Sequence, residues 1–134
     1  MAFKKKMAAA LAALVITSAG SVAAYAESGN YTITAKIGEP DTIPKPQACK
    51  KEDDLRAWVD ATSGIPTGFY VTFRVKEFDG SDASEVAYAT QNNTPYRMSY
   101  LDDHGEIGQT YRLSAWLDSN PVVTSTKVSG RWEP

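Results

Sequence analysis

Apolar and polar residues alternate with a period of two along most of the chain beyond residue 30. That is the spacing of strands that bury one face and wet the other. Tyr31, Ile33, Ala35 and Ile37 alternate with Thr32, Thr34 and Lys36. The clearest run is Phe69-Tyr70-Val71-Thr72-Phe73-Arg74-Val75-Lys76. In it Phe69, Val71, Phe73 and Val75 are expected to face a core, and Thr72, Arg74 and Lys76 to face water. Runs at 55–61 (with Trp58 and Val59), 85–90, 96–101, 109–117 and 122–132 bring the predicted count to about seven strands. No stretch of the mature chain sustains a 3.6-residue apolar period. The prediction is all-β.

The runs are separated by clusters that preset a turn or tolerate positive φ: Gly64-Ile65-Pro66, Asp79-Gly80-Ser81-Asp82, Asn92-Asn93-Thr94-Pro95, Asp102-Asp103-His104-Gly105 and Asp118-Ser119-Asn120-Pro121. Short strands punctuated this regularly point to one antiparallel β-sandwich or small barrel rather than βαβ units. Residues 38–54 break the rhythm with Pro40, Pro44 and Pro46, then Lys50, Lys51, Glu52, Asp53 and Asp54. Because Pro cannot donate to a central ladder, this arm is expected to be mostly extended and exposed, with a short edge strand near Thr42-Ile43 as the alternative.

The first 26 residues follow a different logic. Lys4, Lys5 and Lys6 precede an uncharged apolar run over residues 7–16, and Ala24-Tyr25-Ala26 offers small residues at a peptidase site. That is the order of a secretory signal, with cleavage expected before Glu27. The apolar run falls short of the roughly 20 residues a membrane span needs. No Cys stands immediately after the cleavage site and no second apolar segment appears, so a released, extracellular protein is expected, with no membrane span after signal removal. The organisation read here is a signal peptide at 1–26 and a β-sandwich domain at 27–134.

Removing the signal changes the charge picture. Lys4–Lys6 are three of the chain's 14 basic side chains, so 108 residues remain with 11 basic and 16 acidic groups, a formal balance of −5. An acidic domain is a poor partner for nucleic acid, whose affinity rests on Lys and Arg neutralising phosphates.

Candidate chemistry is sparse. One His and one Cys leave no internal disulfide and almost no ligands for a metal or a catalytic triad. No cofactor is expected. Cys49 sits beside Lys50 and Lys51, cations that favour a thiolate. On an exposed arm it would be reactive or would link two chains into a dimer; the plainer reading is an unpaired thiol on a loop. Asp102-Asp103-His104-Gly105-Glu106 gathers the lone His with three carboxylates, but zinc needs three or four placed ligands, and a solvated hairpin tip is the better reading. Residues 79–85 lack the alternating acids and terminal Glu of a calcium loop. There is no G-x-S-x-G elbow. Any pair of acids is compatible with glycoside hydrolysis on sequence alone, yet no residue stands out as catalytic, and a non-enzymatic protein is predicted.

Aromatic residues supply the remaining candidates. If Tyr111, Leu113, Ala115 and Leu117 face the core, Arg112 and Trp116 lie on the opposite face of their strand. Together with Trp58, they are the predicted contacts for a ligand or partner, a surface glycan or a protein. Tyr70 and Tyr88 join them if the register turns them outward. Burial between two sheets is the competing fate of such rings.

Gly108-Gln109-Thr110-Tyr111-Arg112-Leu113-Ser114-Ala115 resembles the strand bearing the tyrosine corner of immunoglobulin-like domains, which raises an immunoglobulin-like topology. This stretch, with Val71-Thr72-Phe73-Arg74-Val75 and the terminal Val128-Ser129-Gly130-Arg131-Trp132-Glu133, also resembles the domain of unknown function 2712 family of small exported proteins from Gram-positive bacteria. That resemblance spans about residues 58–134 and does not include the Pro-rich arm or Cys49. It implies a signal peptide and a released single domain, and assigns no catalytic residues. The expected function is a secreted, non-enzymatic binding module acting at the cell surface or in the medium. The alternatives are a bacteriocin-like antimicrobial or toxin partner and, from a third class, a small hydrolase.

Overall fold

The alternation becomes burial in the computed structural model of the protein, which describes residues 26–118 and 123–134. The predicted export segment up to residue 25 and the turn residues 119–122 lie outside the described residues. Nine strands follow in order: β1 (Gly29–Lys36), β2 (Asp41–Thr42), β3 (Cys49–Lys50), β4 (Ala57–Ser63), β5 (Val71–Glu77), β6 (Ala87–Ala89), β7 (Pro95–Met98), β8 (Thr110–Trp116) and β9 (Ser125–Glu133). A single 3-10 turn (Lys45–Gln47) separates β2 from β3. Among the described residues no helix is long and apolar enough to cross a membrane.

The strands form two antiparallel sheets. One runs β1-β9-β4-β7; the other runs β2-β8-β5-β6, with β3 also on β8. Inward positions follow the period of two: Tyr31, Ile33 and Ala35 on β1, Val71, Phe73 and Val75 on β5, Leu113 and Ala115 on β8, and Val128 and Trp132 on β9 are all buried. The Tyr31 ring meets Phe73 edge-on at 5.8 Å, joining the two sheets across the core. Each fully buried Val, Leu, Ile or Phe of this layer contributes about 1.5–3 kcal/mol. Phe69, expected inside, is only half-buried because it precedes β5 in the turn, where its N–H donates to Pro66.

Tyr111 behaves as its local sequence suggests. Its hydroxyl accepts from the N–H groups of Gly105 (2.9 Å) and Glu106 (3.0 Å), a few residues upstream, as a tyrosine corner does. The strand order nevertheless departs from the immunoglobulin pattern, in which the last strand shares a sheet with the penultimate one. Here β9 leaves β8 and inserts between β1 and β4 in the opposite sheet. Gly130 permits this close fit: a Cβ there would lie 1.9 Å from the Asp60 carbonyl oxygen.

The Pro-rich arm is not the exposed segment its composition predicts. β2 and β3 both pair with the free edge of β8, the first at the predicted edge-strand alternative and the second beyond it. Ile43 donates its N–H to Leu113, while Cys49 pairs with Tyr111, so residues 44–48 bulge outward opposite Arg112 alone. Pro44 and Pro46 sit in this bulge, where no ladder donor is required. Ile43, Ala48, Cys49 and Lys51 turn inward and are buried. β1 closes the sandwich on the same side: the Ala26 carbonyl accepts from Lys50 N–H (2.8 Å), and Ile37 bridges to Leu117.

Candidate functional site

The outer face of the β8-β5-β6 sheet gathers the chain's exposed aromatics. Pairing in register places Trp116 opposite Thr72, and Thr72 opposite Tyr88, in one row across three strands. With neighbouring strands about 4.8 Å apart, Trp116 and Tyr88 flank Thr72 at roughly 9–10 Å from each other. Tyr70 and Asp118 lie two residues beyond Thr72 and Trp116, on the same face by the period of two.

These side chains touch. The Tyr70 and Tyr88 rings pack edge to face, 5.3 Å between centroids at 80°. They remain 39 % and 56 % exposed, among the most accessible large apolar groups described. Thr72 is buried between its aromatic neighbours, and its hydroxyl donates to Asp118 Oδ2 at 2.8 Å. The negative charge of the nearby Asp118 carboxylate, the largest influence on the Tyr70 phenol, raises its pKa above the ordinary tyrosine value.

The next row is a ladder of charge. Arg74 places its guanidinium 5.8 Å from the centre of the Trp116 ring. It also donates to Asp82 (3.0 Å) and to the Ser84 carbonyl (3.1 Å). Lys76 shares Asp82, whose carboxyl is held below its usual range chiefly by the Lys76 hydrogen bond. These cations are already committed to protein partners.

Arg112 and Trp116, predicted together, do share the outer face of β8, separated by the buried Ser114. Their surroundings differ. Arg112 donates from Nε to the Ile43 carbonyl (2.9 Å) and from a terminal nitrogen to the Phe78 carbonyl (3.4 Å). Its guanidinium thus ties the bulge of the arm to the β5–β6 turn.

Trp58 stands on the other side of the molecule. Ala57, Val59 and Ala61 face the core, so Trp58 lies on the outer face of β4, half-buried and paired with Glu133 and Arg97. Its indole hydrogen-bonds the Glu133 carboxylate, whose pKa is raised by burial and by the nearby Asp53 despite that bond. Trp58 and Trp116 therefore belong to opposite surfaces.

Cys49 is 1 % exposed, not the accessible thiol expected from the arm. Burial pushes its pKa up to about 11, with the Glu133 charge adding to the shift. The neighbouring lysines do not reverse this. Lys51 is itself buried, its ammonium donating to the Leu55 carbonyl and lying 4.7 Å from the centre of the Tyr100 ring. Burial pulls the Lys51 pKa down, against the opposing charges of Asp53, Asp54 and Glu133. Cys49 borders a shallow depression of about 330 Å³ shared with Ala26, Gly29, Asn30 and Gln47.

His104 is not a solvated tip either: half-buried, its Nδ1 hydrogen-bonds the Glu77 carboxylate. Among the described residues no group of three or more His, Cys, Asp or Glu is placed to hold a metal.

Sequence reasoning missed Asp118 and Thr72. Asp118 read as part of a turn cluster, and Thr72 as an ordinary solvent-facing strand residue. Only the pairing register joins them to Tyr70 and Tyr88. The chain matches no protein-family model, no curated protein and no solved structure in comparisons with known proteins.

Proposed function

We propose that this chain is a secreted, non-enzymatic β-sandwich that acts by binding a surface glycan or a protein at the cell surface or in the medium. The observation that carries the reading is the exposed Tyr70–Tyr88 pair, set beside Trp116 and Asp118 on a rigid sheet face. Tyr and Trp give large contact areas at low entropic cost and are enriched where proteins bind partners. Aromatics on strands, with Thr72 holding Asp118 in place, form a preorganised surface. The signal pattern at 1–26 and the resemblance to exported domain of unknown function 2712 proteins support export.

The test is a screen of the purified exported protein against cell-wall glycans and surface-protein fractions, alongside Tyr88→Ala. Retention that the variant loses is expected. Retention unchanged by the variant, or killing of related strains without any retention, contradicts the proposal.

A further inference from the structure

We infer that the corner formed by Tyr70, Tyr88 and Asp118 is a subsite for a small organic cation, an alkylammonium or quaternary ammonium group carried by the ligand. This rests on the reading of the outer face as the binding surface and names the chemistry that the surface selects.

The charge of Asp118 is the first reason. Its identified hydrogen-bond donor, the Thr72 hydroxyl, is neutral, as is the nearby Tyr70 phenol. It belongs to none of the ion pairs found among the described residues. The basic groups on the same face are engaged elsewhere: Arg74 and Lys76 both meet Asp82, and Arg112 holds the carbonyls of Ile43 and Phe78. The carboxylate is held by Thr72 and, among the described residues, is paired with no cation.

Ring geometry is the second. A flat sugar chain stacks best on coplanar rings, whereas Tyr70 and Tyr88 stand at 80° to one another. A compact cation has no such requirement, because a single exposed ring face, where the quadrupole is negative, is enough to attract it. An ammonium drawn to Asp118 meets the nearby Tyr70 ring, against which the Tyr88 ring packs. Both rings are exposed enough to be reached, and neither must move far to be used. A carboxylate beside two perpendicular aromatic rings is a donor set suited to a cation rather than to an anion or a neutral polymer.

The probes are tetramethylammonium, its neutral isostere neopentyl alcohol, and a methyl glycoside, each titrated into the purified protein at constant ionic strength. Side-chain NMR signals of the tyrosines report binding. Saturable shifts of Tyr70 and Tyr88 with tetramethylammonium are expected, with the neutral isostere at least ~10-fold weaker. Asp118→Asn and Tyr88→Ala each alter an exposed side chain, and thermal melting checks that they fold. Each is expected to weaken tetramethylammonium by about 10-fold. Equal binding of the isostere, no loss in Asp118→Asn, or no saturable shift with tetramethylammonium overturns the inference. Shifts of the same rings by the glycoside alone overturn the cation subsite while leaving the binding surface standing. Silence of these rings towards all three probes, together with a failed glycan and protein screen, brings down both.

Discussion

The buried hydroxyl of Thr72 donates a 2.8 Å hydrogen bond to Asp118, a carboxylate at the exposed end of the outer sheet face. Replacing Thr72 with Val keeps the shape and removes the donor. The expected cost is about 1 kcal/mol in urea denaturation, the net worth of one such bond. An unchanged midpoint would show that the hydroxyl is not spent on Asp118.

Arg112 holds the arm. Its planar fork reaches two carbonyls on different elements, Ile43 and Phe78, a geometry that a lysine ammonium cannot copy. Arg112→Lys is expected to lose about 1–2 kcal/mol of stability. Partner binding should be unaltered once the variant is folded. Loss of binding with stability intact would return Arg112 to the contact surface.

Cys49 gives the molecule an alkaline weakness. Burial pushes its thiol up to about 11 in the folded chain, from the ordinary value of 9.0 for an exposed thiol. Between those values the folded state keeps a proton that the unfolded chain has released, so stability falls as pH rises. The contribution is fully present below pH 9 and is lost as pH climbs through about 11, amounting to roughly 2–3 kcal/mol. Denaturation at pH 8 and pH 10.5, compared with Cys49→Ala, measures it: the variant should show the shallower decline. Slow reaction of the native thiol with a disulfide reagent, becoming rapid in denaturant, is the companion expectation. Rapid native reaction at pH 8 would contradict the burial.

Gly130 is a packing requirement. Its missing Cβ lets β9 approach the Asp60–Ala61 backbone, where an added methyl would sit 1.9 Å from an oxygen. Gly130→Ala is therefore expected to cost about 3 kcal/mol or more, since backbone rather than a flexible side chain must yield. A change below about 0.5 kcal/mol, the ordinary surface range, would rule out the close β4–β9 contact.

Strand positions were legible because period-two alternation survives wherever one face is buried, as in Val71-Thr72-Phe73-Arg74-Val75. β2 and β3 were harder to see. Each pairs through only two residues, and Pro44 and Pro46 between them read as a broken arm. The burial of Cys49 and Lys51 was hidden for a related reason: adjacent charges argue for exposure, and only the edge of β8 supplies the partners that turn these side chains inward. Tyr111 was readable from its own strand because its hydroxyl bonds locally. The candidate site was readable only in parts. Trp116 and Tyr88 are separated by 27 intervening residues and meet through the register of β5, and Asp118 joins them only because it continues the outward face of β8.

Aromatic side-chain NMR of the purified protein during titration with tetramethylammonium tests the central claim most directly, because it reports where binding occurs as well as whether it does. Shifts confined to Tyr70 and Tyr88, with binding weakened about 10-fold in Asp118→Asn, are predicted. Shifts centred on Trp58, on the opposite face of the sandwich, would contradict the account.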